Sequence, residues 1–235
     1  MKSQFLLCTL TAGVALSAQA RDQRPNIVMI IGDDISRDDF GCYGHPLVKT
    51  PNIDALAEDG VRFNSMFLTA SSSSPSRCSI ITGRYPHNTG ACELHSPIGP
   101  EQIFFPEVLS QAGYYPALAG NFHIGGKAIE PEGPAVRAFD RAGGSRHDGG
   151  GASGAKMWVP YLQERPKDKP FFMWFASHDA HRNFWDKELL VPPYDPDNVV
   201  PPIYNVNAPA TRKDYAGYYN EITRLDHYVG EVVAE

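Results

Sequence analysis

The chain has 235 residues, 42% of them hydrophobic, with 21 lysines and arginines against 27 aspartates and glutamates. A net charge of −6 argues against nucleic-acid binding, which rests on basic side chains neutralising phosphates, and leaves room for a local basic pocket only. Four cysteines with no CxxC and no paired spacing make no disulfide framework.

The first twenty residues, MKSQFLLCTLTAGVALSAQA, combine basic Lys2, an apolar stretch from Phe5 to Leu16 and an Ala18-Gln19-Ala20 cleavage site. That pattern reads as a secretory signal peptide. The competing reading, a membrane anchor, needs about 20 apolar residues, and the stretch is too short. An exported protein, periplasmic or extracellular and without stable membrane insertion, is therefore expected. Cys8 leaves with the peptide. An exported chain keeping only Cys42, Cys78 and Cys92 suits a bacterial envelope better than a disulfide-stapled scaffold. Residues 21–235 are long enough for one large domain with its own core.

Asn26-Ile27-Val28-Met29-Ile30-Ile31 is apolar on both faces and ends at Gly32-Asp33-Asp34, which predicts a buried parallel strand. Thr50 then reads as an N-cap, Pro51 as the first helical residue, Ile53, Leu56 and Ala57 as the apolar face, and Gly60 as the stop. Val61-Arg62-Phe63 alternates like a short strand. The serines from Ser71 onward, with Pro75, read as loop, and Cys78 as a small packed residue on a helix that follows. Phe105 to Ala112 looks helical, Gly113 ends it, and Tyr114 to Leu118 looks like a strand. The glycine-rich loop Gly143 to Gly154 lacks G-x-x-x-x-G-K-[ST] and is not a P-loop.

Pro170 to Ala176 is the strongest strand in the chain and runs into Ser177-His178. Val191 to Pro209 is proline-rich and predicted irregular. Thr211 to Glu235 carries Tyr215, Tyr218, Tyr219, Ile222, Leu225 and Val229 at helical spacing. The alternation predicts an α/β fold, a mostly parallel central sheet flanked by helices. Functional groups in such sheets gather beyond the carboxyl ends of strands, where Asp33, Asp34 and His178 all fall.

Adjacent carboxylates after a buried strand repel each other unless a positive group sits beside them. Asp33 and Asp34 therefore suit Ca²⁺ or, as second choice, Mg²⁺; an Asx turn capping a helix is the competing reading. His178-x-x-His181 offers two imidazoles to zinc, but no H-E-x-x-H helix accompanies them. Single histidines such as His123 and His178 are more often packed or surface residues than catalysts, with a general acid or base as the alternative reading.

The order Ser73-Ser74-Pro75-Ser76-Arg77, followed by Ser79-Ile80-Ile81-Thr82-Gly83-Arg84, resembles the sulfatase signature C/S-x-P-S-R and its Thr-Gly-Arg turn. Asp33-Asp34, Thr50-Pro51-Asn52-Ile53-Asp54 and Gly120-Asn121-Phe122-His123-Ile124-Gly125 resemble further stations of that family. So does Pro170-Phe171-Phe172 running into Ser177-His178-Asp179-Ala180-His181. They occur in the family's order and cover nearly all of residues 21–235. His178 to Arg182, Tyr194-Asp195-Pro196, Leu225-Asp226 and Val229-Gly230 look nearest to heparan N-sulfatases (sulfamidases). The resemblance implies the N-terminal catalytic part of an alkaline-phosphatase-like sulfatase domain, incomplete at Glu235. The family continues into a D-N-G or D-H-G strand that completes its calcium site.

It also implies hydrolysis of sulfate esters or N-sulfate groups on a sulfated glycan such as a heparan-type saccharide. Ser73 would be oxidised to formylglycine by a dedicated maturation enzyme. One hydroxyl of the hydrate attacks sulfur and the other drives release of sulfate, a step unmodified serine lacks. Asp33, Asp34 and residue 73 would hold Ca²⁺, and Arg77 would stabilise the activated hydroxyl. His123 would act as the base in release, and His178 would contact sulfate and protonate the leaving group. Asn121, His181 and Arg182 would bind substrate. Asn121 stands where the family has a sulfate-binding lysine and supplies no charge. Two alternatives stay open: a phosphodiesterase or phosphatase of the same superfamily using unmodified Ser73, and an inactive truncated sulfatase-like protein.

Overall fold

A computed structural model describes residues 24–125, 136–183, 189–190 and 192–235; the expected signal peptide lies outside the described residues. Strands β1 (Ile27–Ile31), β2 (Tyr115–Gly120), β3 (Arg141–Gly143) and β4 (Phe171–Ala176) form a parallel sheet in the order β1-β4-β2-β3. Its flanking helices are α1 (Pro51–Asp59), α2 (Ser73–Thr82), α3 (Phe105–Gln111), α4 (Trp158–Glu164) and α5 (Pro209–Ala234). The α/β class read from the sequence is the observed one.

β4 shows why the layers form. Successive side chains of a strand point to opposite faces. Phe172 and Trp174 pack with Cys78 and Ile81 of α2 and with Phe104 and Leu118. Phe171, Met173 and Phe175 pack with Trp158 of α4 and with Leu225 and Val229 of α5. Each such side chain contributes about 1.5–3 kcal/mol by burial. The register then sets the level of the site: Ile31 pairs with Ala176, and Gly120 pairs with the same residue. β1, β4 and β2 thus end side by side, releasing Asp33, His178 and Asn121 at one edge. Gly120 permits this close ending, because a Cβ on it would stand 1.9 Å from the Ala176 carbonyl oxygen.

Several expectations need correction. β1 is an edge strand rather than a fully buried one, with Val28 40% exposed. Leu56 is 46% exposed, so the apolar face of α1 is narrower than its spacing suggested. Thr50 holds the N-cap position, but its hydroxyl donates to Asp54 and accepts from the Gly41 amide. The start of α1 is instead capped from α5, where the Asp226 carboxylate accepts from the amides of Asn52 and Ile53. An acceptor on those unpaired amides does the work of a local cap.

Val61-Arg62-Phe63 forms no strand, and its apolar side chains are exposed. Pro75 lies inside α2 rather than in loop; in the first turn its missing amide hydrogen costs nothing. β3 was not anticipated, and Pro209 opens α5 instead of closing the irregular stretch. No helix among the described residues is long and apolar enough to cross a membrane.

Candidate active site

Ser73 is the first residue of α2 and Arg77 lies four residues on, so both side chains leave the same helix face. That face meets Asp33. Ser73 Oγ donates to Asp33 Oδ1 at 2.9 Å, and an Arg77 guanidinium nitrogen stands 3.6 Å from Oδ2. Asn121 Nδ2 donates to the same Oδ2 at 2.8 Å, while Arg77 also donates to the Asn121 carbonyl at 3.2 Å. Two chain segments far from Asp33 in sequence therefore converge on its buried carboxylate. Burial works to lower the pKa of Arg77, opposed by Asp33 and Asp34; the guanidinium stays charged. Cys78 is fully buried in α2, as the packed residue read from the sequence, and burial pushes its thiol up to about 11, whereas Ser73 faces the pocket.

The 178–181 turn is locked to the same place. Asp33 donates its amide to the Asp179 carbonyl and accepts from the Ala180 amide, both at 2.7 Å. The Asp179 carboxylate accepts two hydrogen bonds from Arg224 of α5, at 3.1 and 2.5 Å, and Arg224 also stands 2.9 Å from Glu221. All three side chains are buried. Burial opposes the Arg224 charge, but Asp179 and Glu221 more than offset it and hold its pKa up.

His178 donates its amide to the Ser153 carbonyl at 2.6 Å, and its Nε2 is buried without a hydrogen-bond partner. Burial, followed by the Arg146 charge, holds the imidazole pKa down to about 3. The imidazole is therefore neutral near neutral pH, and an arriving anion would raise its pKa. Gly154 leaves room for the ring, since a Cβ there would sit 2.9 Å from His178 Cδ2.

His123 Nε2 and His95 Nδ1 are 2.9 Å apart, one donating to the other. Burial first, then Arg77 and His95, lowers the His123 pKa. Asp34, His95 and His123 are non-glycine residues with φ of 56°, 64° and 39°, a conformation that costs on the order of 1 kcal/mol or more each. Neighbours hold the first two in place: the Ser74 hydroxyl accepts from the His95 amide, and the Tyr218 hydroxyl donates to the Asp34 carbonyl.

Ser73, Asp33, Asn121, His95, His123 and His178 share a cavity of about 490 Å³. At its mouth His181 Nε2 lies 3.8 Å from Asp34 Oδ2, and Arg182 is paired with Asp214 of α5. Asp34, His181 and Arg182 also border an outer cleft of about 1500 Å³, lined further by Tyr204, Tyr215, Tyr218 and Tyr219.

Calcium takes about six to eight oxygens. Both Asp33 oxygens already accept hydrogen bonds, Asp34 faces His181, and no group of three His, Cys, Asp or Glu among the described residues could hold a metal. These residues do not complete a calcium site. The sequence reading missed His95, Arg146 and the Asp179–Arg224 pair. Each is a single polar residue in a loop or helix, and nothing local distinguishes it from a solvated one.

Residues 25–235 match the family model described as Sulfatase. The chain is 30% identical to human N-sulphoglucosamine sulphohydrolase over 241 residues, covering 89% of this chain and 46% of that protein. Identity to N-acetylglucosamine-6-O-sulfatase of Bacteroides thetaiotaomicron is 30% over 195 residues, covering 74% and 34%. A solved structure of a protein with its substrate D-glucosamine-2-N,6-O-disulfate aligns with a TM-score of 0.58 at 29% identity, covering 69% of this chain and 36% of that one. The chain therefore spans between 34% and 46% of the length of these curated relatives.

Proposed function

This chain belongs to the sulfatase family, and from that premise we propose that it carries the nucleophile half of a site hydrolysing sulfate esters or N-sulfates on a glucosamine-type saccharide. The observation that carries this is the Ser73 hydroxyl on the buried Asp33 carboxylate, with Arg77 one helical turn behind it on the same group. Asp33 orients the oxygen of residue 73 toward the cavity, and Arg77 keeps that carboxylate from repelling an anionic substrate. A formylglycine hydrate at this position supplies two hydroxyls where serine has one.

His123, kept neutral by burial, accepts a proton at the ring nitrogen not bonded to His95. His178 meets the sulfate with its buried Nε2 and gains a proton as the anion raises its pKa. Sugar recognition falls to His181, Arg182 and the tyrosine-lined outer cleft. Maturation by a formylglycine-generating enzyme and export complete the reading.

Mass analysis of the peptide containing Ser73, from protein made in its native host, tests it. The expected species is lighter than serine by two hydrogens. The same preparation should release sulfate from an N- or 6-O-sulfated glucosamine, with Ser73→Ala about 10³-fold or more slower. Unmodified serine with turnover of a phosphodiester would instead establish the phosphoryl-transfer alternative.

A further inference from the structure

The glycine-rich loop, residues 143–154, joins β3 to α4 and already supports His178 through Ser153 and Gly154. It is an ordered turn on the wall of the active-site cavity. The Gly144 amide donates to Asp148 Oδ2 at 3.1 Å, and the Gly150 and Asp148 amides both donate to the Ser145 carbonyl, at 2.8 and 3.1 Å. Its far end is fastened to the end of β4 through Ser153, whose carbonyl accepts from the His178 amide and from Ser177 Oγ. Between these anchors, Arg146 lines the cavity that holds Ser73, Asn121 and His178.

The charge pattern of that cavity calls for a cation. Asp33 and Asp34 give it a negative wall, Arg77 lies against Asp33 beneath them, and Arg182 at the mouth is paired with Asp214 of α5. Asn121, at the strand end, is neutral and directs its amide nitrogen to Asp33. A sulfate oxygen placed here finds no charge on Asn121 and meets carboxylates on one side. Arg146 is close enough to His178 for its charge to rank directly after burial in the forces on that imidazole.

We propose that Arg146, presented by the glycine-rich loop, is the residue that binds the sulfate group of the substrate, with His178 beside it. A guanidinium offers a planar pair of N–H donors to two oxygens of a tetrahedral oxyanion and keeps its charge at every working pH. Short glycine turns let the loop fold tightly enough to present the side chain while Ser153 holds it level with the strand ends. Arg146 would then act on binding and on the developing charge, not on proton transfer.

This inference rests on the sulfatase reading, and titration calorimetry with inorganic sulfate on the full chain at low ionic strength separates the two. Wild type should bind sulfate, and Arg146→Ala should bind it about tenfold or more weakly, the loss of a charge-assisted contact. Arg146→Lys should fall between them. Lys169→Ala, which removes an equal charge at the other end of β4, should stay within about twofold, since a distant surface charge is screened. Circular dichroism checks folding, and Arg146→Lys and Arg146→Gln carry the comparison if the alanine variant does not fold. Sulfate binding by wild type that survives unchanged in the Arg146 variants overturns the role of Arg146 and leaves the sulfatase reading standing. No sulfate binding by wild type overturns both.

Discussion

On the floor of the pocket the Asp33 and Arg77 side chains are 8% and 3% exposed, and their partners are fixed by a helix face and two strand ends. At the rim, Asp34, His181 and Arg182 are more than half exposed, and their pairings are long or borrowed from the surface of α5. The same charges thus occur in two physical regimes. Buried ionic contacts hold geometry and are costly to break, whereas exposed ones contribute at most about 1 kcal/mol and can be rearranged by a ligand. In the proposed function the floor would hold the sulfate and its nucleophile, and the rim would meet the saccharide.

Breaking the support of the floor should have the largest effect. Arg224→Ala leaves Asp179 and Glu221 buried without their countercharge and should destabilise the chain by about 3–5 kcal/mol, read from urea unfolding midpoints. The double variant Arg224→Met with Asp179→Leu should lose much less than the two single changes added together. Simple additivity would show that the pair does not act as a unit.

The next effect is in pH. The folded pKa of His178, about 3, lies below its ordinary value of about 6.5, so the unfolded chain takes up a proton first as pH falls. The resulting stability is present above about pH 6.5 and is lost progressively toward pH 3, with a slope of up to ~1.4 kcal/mol per pH unit. His178→Gln should flatten the decline in unfolding midpoint between pH 6 and 4; an unchanged slope would remove His178 as its cause.

The rim should respond least. Arg182→Ala should change stability by less than about 1 kcal/mol. On a sulfated glucosamine substrate it should raise KM about fivefold or less, the equivalent of that energy, with kcat held. A collapse of kcat would move Arg182 from the rim to the floor.

Much of this contrast is legible before folding. A continuous apolar run marks β4 and helical spacing marks α5, whereas Ser73 and Pro75, read as loop, open the helix that carries Arg77. The rest is not. The cap of α1 comes from Asp226, 173 residues beyond Ile53. The Asn121 amide points at Asp33 from 88 residues away. Leu56 and Val28 carry the right pattern for burial, yet both are largely exposed. Local pattern says which face is apolar and says nothing about what arrives to cover it.

The sequence alone therefore determined the α/β alternation and, through motifs that resemble the sulfatase signature, the family, because each of these signals is carried by a short run of chain. Only the tertiary structure decided that Asn121 serves Asp33, that His95 joins His123 and that the glycine-rich loop brings Arg146 to the pocket. Those choices depend on the parallel register that ends β1, β4 and β2 at one level, and register is a property of the packed sheet rather than of any segment.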